Sequence, residues 1–247
     1  MTSTTSTLVV IPTYNEAASI ADVIGRLLRL EIPGHEIEVL VVDDGSPDGT
    51  GDIVKALPGI ATSRVHLLER SKKTGLGQAY LAGFAWALER SYEVIVEMDG
   101  DGSHQPEQLG RLLAAVATGA DLAIGSRWIP GGKVDNWSFL RQGLSRAGNA
   151  YAKFALNFDL HDATAGYRAF TRGALKTLDL TSVDSSGYCF QIDLAWRAWQ
   201  RNLRVEEVPI TFVERSAGVS KMSKGIVFEA IWQITKWGLH RRTEQRR

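Results

Sequence analysis

Short apolar runs alternate along the chain with longer stretches in which apolar residues recur every three or four positions. The runs "LVVIP" (8–12), "EVLVVDD" (38–44), "RVHLLER" (64–70), "EVIVEMD" (93–99) and "DLAIGSR" (121–127) read as strands. Their nearly unbroken apolar character predicts a sheet covered on both faces. Between them, "SIADVIGRLLRL", "TGDIVKAL", "GLGQAYLAGFAWALER" and "PEQLGRLLAAVATG" read as amphipathic helices. Strand alternating with helix predicts a mostly parallel central sheet flanked by helices, with right-handed crossovers. Beyond about residue 130 the rhythm changes. "PGGK" (130–133) reads as a loop, 137–156 and "SGYCFQIDLAWRAWQRN" as helices, "RVEEVPITFVER" as one strand, and "KGIVFEAIWQITKWGLHRR" as a final amphipathic helix. No repeat or low-complexity linker divides the chain. The expected organisation is an α/β catalytic domain over 1–225, followed by an amphipathic helix and basic tail over 226–247.

Composition narrows the function classes. A chain of 247 residues can bury a substantial core. Lys+Arg and Asp+Glu both total 28, so net charge makes no case for nucleic-acid binding. The lone cysteine, Cys189, lies among aromatics and reads as a buried thiol in a reducing compartment. The start "MTSTTSTLVVIP" lacks a charged segment before an apolar one and does not read as a signal peptide. No run reaches the roughly 18–20 apolar residues that span a bilayer. A cytoplasmic protein, or one peripheral to a membrane, is expected.

In an open α/β sheet, ligands bind beyond the carboxyl ends of the strands, so the polar residues there carry the chemistry. Neither a G-x-G-x-x-G after the first strand nor a G-x-x-x-x-G-K-S/T is present, which disfavours nicotinamide and P-loop chemistry. The fourth run ends in Asp99, Gly100, Asp101. Two carboxylates flanking a glycine suit Mg²⁺ or Mn²⁺, which takes one or two carboxylates plus substrate phosphates. The same letters also suit an acidic turn, with Ser103 or His104 capping a helix that begins near Pro106. Asp43 and Asp44, in "DDGSPDGT", either hold ribose hydroxyls or form a turn and cap. Glu16 and Tyr14 follow the first strand, whose exit Pro12 fixes.

Taken together, "VVIPTYNEAASI", "VLVVDDGSPDGTGDI", "GLGQAYLAGF", "VIVEMDGDGSHQPEQL", "LAIGSRWIPGG", "ATAGYRAF", "GYCFQIDL" and "EVPITFVERSAGVSKM" resemble the inverting nucleotide-sugar glycosyltransferases of family 2, and within them the polyprenyl-phosphate (dolichyl-phosphate) mannose synthases. The resemblance implies a single Rossmann-like domain of the GT-A type. It also implies metal-dependent transfer of mannose from GDP-mannose to a polyprenyl phosphate, without a general base because the acceptor oxygen is already anionic. Pro12, Tyr14, Glu16, Val41 and Asp43 match the family's nucleotide pocket. Asp99, Gly100 and Asp101 match its diphosphate and metal segment, with Asp101 the chief ligand and Ser103 a further candidate. Arg127, Arg215 and Lys221 match cations that grip phosphates, and Arg141 lies at a position associated with the acceptor phosphate. The alternatives are UDP-glucose as donor, transfer to a sugar hydroxyl with Asp193 as the base, and a non-catalytic nucleotide-sugar-binding subunit.

A lipid acceptor raises the question of the membrane. Val227, Phe228, Ile231, Trp232, Ile234 and Leu239 are expected to form one apolar face of the last helix, with Glu229, Gln233, Lys236 and His240 opposite. Arg241, Arg242, Arg246 and Arg247 follow. This pattern suits an anionic membrane surface. Relatives without their own spanning helices imply a separate integral membrane partner.

Overall fold

The computed structural model describes residues 4–183, 187–214 and 231–239. Each apolar run of the N-terminal half is a strand: β1 (Thr5–Thr13), β2 (His35–Asp43), β3 (Val65–Glu69), β4 (Val94–Glu97) and β5 (Leu122–Ser126). Helices α1 (Ile20–Leu28), α2 (Thr50–Lys55), the short α3 (Pro58–Ala61), α4 (Leu76–Leu88) and α5 (Leu109–Ala117) lie between them. The second half adds β6 (Lys133–Asp135), α6 (Phe139–Leu156), β7 (Arg168–Thr171), α7 (Arg172–Thr177), α8 (Gly187–Gln200), β8 (Val205–Pro209) and β9 (Thr211–Val213). Residues 231–239 are also helical.

Seven strands form the central sheet in the order β3-β2-β1-β4-β7-β5-β8. All neighbours are parallel except β7, which runs antiparallel to both β4 and β5. Alternate side chains of the same strand enter different cores, as the pleat requires. Leu8 and Val10 pack with α4, α6 and α8, while Val9 and Ile11 pack with α1 and α5. Burial on both faces explains why these strands read as continuous apolar runs.

Three expectations are corrected here. The single strand expected over 204–215 is two strands. Pro209 closes β8 against Ser126, Ile210 is buried, and β9 then pairs with β6 in a second, two-stranded sheet. The "PGGK" loop accordingly ends in a strand residue, Lys133. The fourth strand stops at Glu97 rather than Asp99, because the Asp99 N–H donates to His104 Nδ1 (3.1 Å) and leaves the sheet. Finally, the apolar face expected of the last helix is split. Ile234 belongs to the main core and Trp237 stacks on Trp196 at 5.6 Å, whereas Ile231, Trp232 and Leu239 are exposed. Val227, Phe228, Glu229, His240 and the basic tail lie outside the described residues.

Candidate active site

The carboxyl ends of β2, β1 and β4, parallel neighbours in the sheet, lie side by side at one edge. Asp43, the last residue of β2, is buried and accepts hydrogen bonds from Thr13 Oγ1 (2.9 Å), Ser46 Oγ (2.6 Å) and the Ser46 N–H (2.9 Å). Ser46 Oγ in turn accepts from the Asn15 N–H (3.0 Å), where the chain turns through a positive φ of 62°. Glu16 and Ala17 donate their N–H groups to Thr50 Oγ1 (3.1 Å) and Asp48 Oδ2 (3.0 Å). The "TYNEA" turn is thus clamped to the "DDGSPDGT" loop by side chains that accept backbone donors, the usual work of Asp, Ser and Thr in turns. Asp44 is committed to Arg70, whose Nη1 lies 2.7 Å from its Oδ1. Tyr14 is half-buried, with Lys73 Nζ 4.0 Å from its ring centre. Pro12 and Val41 are buried, and Val41 is a core residue of a strand paired on both sides.

The Asp99–Asp101 loop sits against this clamp. Ser19 Oγ donates to the Gly100 carbonyl (2.8 Å) and lies 3.5 Å from Glu16 Oε2, which links the first turn of the crevice to the acidic loop. A β-carbon at Gly100 would come within 3.0 Å of Ile11 Cγ2 and 3.3 Å of Thr13 Cγ2, so a side chain there would have to push these methyl groups aside by a few tenths of an ångström. Tyr80 Oη donates to Asp99 Oδ1 (3.2 Å). Burial, reinforced by the Asp99 carboxylate, pushes Tyr80 well above its ordinary pKa and keeps it a donor. Asp101 Oδ1 accepts from the Ser103 N–H (3.0 Å).

Neither Ser103 nor His104 caps the following helix, contrary to the capping alternative. A 3₁₀ turn over Pro106–Gln108 precedes α5 and has no side-chain cap. His104 instead faces inward, stacked on Tyr167 at 5.1 Å and edge-on to Phe212 at 5.4 Å. Burial pushes its imidazole down to about 4, so near neutral pH Nδ1 is an acceptor for the Asp99 N–H. The Ser103 carbonyl accepts from the Val213 N–H (3.1 Å), and His104 bridges to Phe212. These contacts bring β9 over the acidic loop.

The donor set suits a hard cation. Among the described residues no group of three or more His, Cys, Asp and Glu side chains is placed to hold a metal, which argues against a closed zinc-type site. Two carboxylates on a tight loop match Mg²⁺ or Mn²⁺ completed by substrate phosphates and water. The Ser103 hydroxyl is buried and makes no hydrogen bond, and a cation or one of its waters would satisfy such an oxygen.

The basic residues divide. Arg127, just past β5, is 7% exposed. Its Nε and Nη2 donate to Asp162 (2.7 and 2.6 Å), and Nη2 also donates to Thr164 Oγ1 (2.9 Å). It is placed as the buried partner of Asp162 rather than as an exposed cation. Arg141, in the first turn of α6, lies 3.9 Å from the Trp137 ring centre and pairs with Glu214 at 2.5 Å. Arg215 and Lys221 lie outside the described residues. Asp193, considered above as a base, is buried and pairs with Arg197 at 2.7 Å.

Two side chains beneath the loop, Tyr80 and Arg168, carry no sign of their role in the sequence, although both lie within motifs quoted above. Tyr80 lies in "GLGQAYLAGF" and Arg168 in "ATAGYRAF". Arg168 is fully buried and donates to the carbonyls of Ala165 (2.8 Å), Gln191 (2.8 Å) and Ala163 (2.7 Å). Its Nε is 3.9 Å from Glu97, whose carboxyl burial pushes up to about 8 against the pull of Arg168.

Comparison with known proteins shows the family. Residues 8–179 match the model of the family described as glycosyl transferase family 2. The chain is 53% identical over 244 residues to polyprenol monophosphomannose synthase of Mycolicibacterium smegmatis, covering 99% of this chain and 91% of the relative. It is 54% identical over 237 residues to undecaprenyl-phosphate mannosyltransferase of Micrococcus luteus, covering 96% of each. Among solved structures, glucosyl-3-phosphoglycerate synthase of Mycobacterium tuberculosis, in complex with Mn²⁺, UDP and glucosyl-3-phosphoglycerate, shares the fold. Its TM-score is 0.66 at 21% identity, over 96% of this chain and 80% of that one.

Proposed function

The chain belongs to glycosyl transferase family 2, and from that premise we propose that it transfers mannose from GDP-mannose to a polyprenyl phosphate, with inversion at the sugar. The observation that carries this reading is the Asp99–Gly100–Asp101 loop, pressed against β1 and tied through Ser19 to the Glu16 turn. That arrangement sets two carboxylates beside a crevice at the carboxyl edge of the sheet, where a nucleoside diphosphate belongs.

In this reading a phosphate oxygen of the acceptor attacks C1 of the mannosyl group. The bond from C1 to the diphosphate oxygen breaks, and GDP leaves with that electron pair. The attacking oxygen is already anionic, so no side chain needs to remove a proton. Asp193, held by Arg197, is not required as a base. Asp101 and Asp99 would hold Mg²⁺ or Mn²⁺, which when bound supplies charge neutralisation for the leaving diphosphate. Tyr80 and His104 orient Asp99, through its carboxylate and its N–H respectively, while Ser19 fixes the Gly100 carbonyl. Asp43, Glu16 and Tyr14 face the nucleoside. Arg141, held between Trp137 and Glu214, is the acceptor-side cation. Arg127 contributes by fixing the Asp162 loop. Catalysis then comes from positioning and from stabilising the leaving group.

The same reading makes the chain a peripheral enzyme at the cytoplasmic face of a membrane. Its buried Cys189 thiol fits a reducing compartment, and no described helix is long and apolar enough to cross a membrane. A panel of GDP-mannose, UDP-glucose and GDP-glucose tests the function, with Mg²⁺ or Mn²⁺ and a short, water-soluble polyprenyl phosphate. Product is expected with GDP-mannose. Product with UDP-glucose instead would assign the donor otherwise, and no product with any donor would remove the transferase reading.

A further inference from the structure

Gln191, in the second turn of α8, is 3% exposed, yet neither its Nε2 nor its Oε1 makes a hydrogen bond. The amide lies near enough to the Glu97 carboxyl to favour its charged form, but without the geometry of a hydrogen bond, and both Glu97 oxygens are likewise unpartnered. A buried carboxamide that leaves its donors and its acceptor unused is costly and calls for an explanation. The backbone beneath it is fixed. Phe190 stacks on Tyr80 at 6.0 Å and fills the space where a β-carbon at Gly77 would sit, 2.8 Å away. The Gln191 carbonyl accepts from Arg168 Nη1 (2.8 Å).

Gly166 shows what the amide faces. A β-carbon there would lie 3.6 Å from His104 Cε1, 3.7 Å from Gln191 Nε2 and 3.8 Å from Asp99 Oδ1. These are ordinary contact distances, so steric conflict does not account for the glycine. Its backbone does not account for it either, because φ at Gly166 is not positive. What the missing side chain leaves is room for a heavy atom, bordered by an amide, a carboxylate and an imidazole C–H. Gly166 is half-buried and the Asp99 side chain is 31% exposed, so this space opens outward beside the acidic loop. Arg168 holds both of its walls. It donates to the carbonyls of Ala163 and Ala165, just before Gly166, as well as to that of Gln191.

We propose that Gln191 reads a hydroxyl of the transferred sugar, and that Gly166 keeps the place for it. An oxygen close to the absent β-carbon is within reach of Gln191 Nε2 and Asp99 Oδ1 together. A hydroxyl accepts from the amide and donates to the carboxylate, which an ionised phosphate cannot do. The charge bordering the space is negative, so it repels a phosphate and suits a neutral group. The inference deepens the reading above and rests on it for the identity of the donor. In that reading the sugar is the neutral, hydroxyl-rich part of the donor, bonded to the diphosphate held at the acidic loop. It therefore lies beside Asp99. Binding gives the buried amide the partner that it lacks in the protein alone, and a donor without that hydroxyl leaves it unpaired.

The test is isothermal titration of wild type, Gln191→Leu and Gly166→Ala in Mn²⁺, with GDP, GDP-mannose and GDP-deoxymannoses lacking one hydroxyl each. GDP carries no sugar and should bind all three proteins alike. GDP-mannose should bind each variant at least about tenfold more weakly than wild type. In wild type one of the deoxy donors should show a similar loss, and for that donor Gln191→Leu should cost nothing further. Both variants should keep the wild-type melting temperature, since Leu removes an unpartnered amide and the added methyl meets its nearest neighbour at 3.6 Å. Loss of GDP and GDP-mannose affinity by the same factor would make Gln191 a support of the acidic loop and overturn the proposal. So would unchanged affinity of both variants for GDP-mannose, which would leave the amide to an internal water. Repeating the titrations with UDP and UDP-glucose separates the two readings. A selective loss seen only with UDP-glucose would reassign the donor and uphold the role of Gln191. Binding of neither sugar nucleotide to wild type would overturn both.

Discussion

Replacing Arg127 with Met separates a positioning role from direct phosphate binding. The substitution removes two charge-assisted hydrogen bonds to Asp162, at 2.7 and 2.6 Å, from a carboxylate with no exposed surface. Breaking one side of a buried ion pair typically costs about 3–5 kcal/mol, because the remaining charge is left without its counterion. Asp162 keeps the Arg127 N–H (2.9 Å), Thr164 Oγ1 (3.1 Å) and the weaker Asn149 Nδ2 (3.4 Å). Those remaining donors place the expected loss near the lower end, about 3 kcal/mol. For a chain of this length that is a fall in melting temperature of roughly 6–12 °C. Urea unfolding followed by circular dichroism, together with a thermal melt, measures it. Arg127→Met/Asp162→Asn removes both charges and keeps an acceptor for the Arg127 N–H, so it should recover to within about 1 kcal/mol of wild type. A loss below about 1 kcal/mol in Arg127→Met, accompanied by a transfer rate more than about a hundredfold lower and a raised KM, would refute this reasoning. Arg127 would then be a phosphate ligand of the kind the family resemblance implies.

Other outcomes follow from the acidic loop. Asp101→Ala should lower kcat by at least about 10²–10³-fold with no matching loss of stability; near wild-type turnover at saturating Mn²⁺ would remove Asp101 as the chief ligand. Chelation with EDTA should stop transfer, and added Mg²⁺ or Mn²⁺ should restore it, with the two metals compared by initial rate. Gly100→Ala introduces a methyl 3.0 Å from Ile11 Cγ2, so it should cost about 1–3 kcal/mol in urea unfolding and impair transfer as well; an unperturbed variant would show that the loop can retreat from β1. His104 gives a pH dependence whose sign is fixed. Its folded pKa is depressed from 6.5 to about 4, so its contribution is complete above 6.5 and is lost as pH falls through that window. Relative to His104→Gln, wild type measured in chelator should lose roughly 2 kcal/mol of stability between pH 7.5 and pH 5. Parallel pH profiles would show that the imidazole is not buried in its neutral form.

The sequence by itself determined the part of this protein governed by local periodicity. Strands β1 to β5 and helices α1, α2, α4, α5, α6 and α8 were legible because their apolar spacing follows directly from which faces they bury. The Asp99–Gly100–Asp101 loop was legible too, because two carboxylates around a glycine at a strand end carry their chemistry in three letters. Tertiary structure alone decided what depends on partners far apart in the chain. β7 is four residues long with a buried arginine at its start, and it exists as a strand only because β4 and β5 flank it. Arg127 and Asp162, 35 residues apart, become an ion pair only when β5 and the loop after α6 close on each other. The outward direction of Phe139, Leu140 and Phe154 was equally hidden. An amphipathic pattern shows that one side of a helix is apolar, but only the packing of Asn149, Ala152 and Leu156 against the body decides which side faces out.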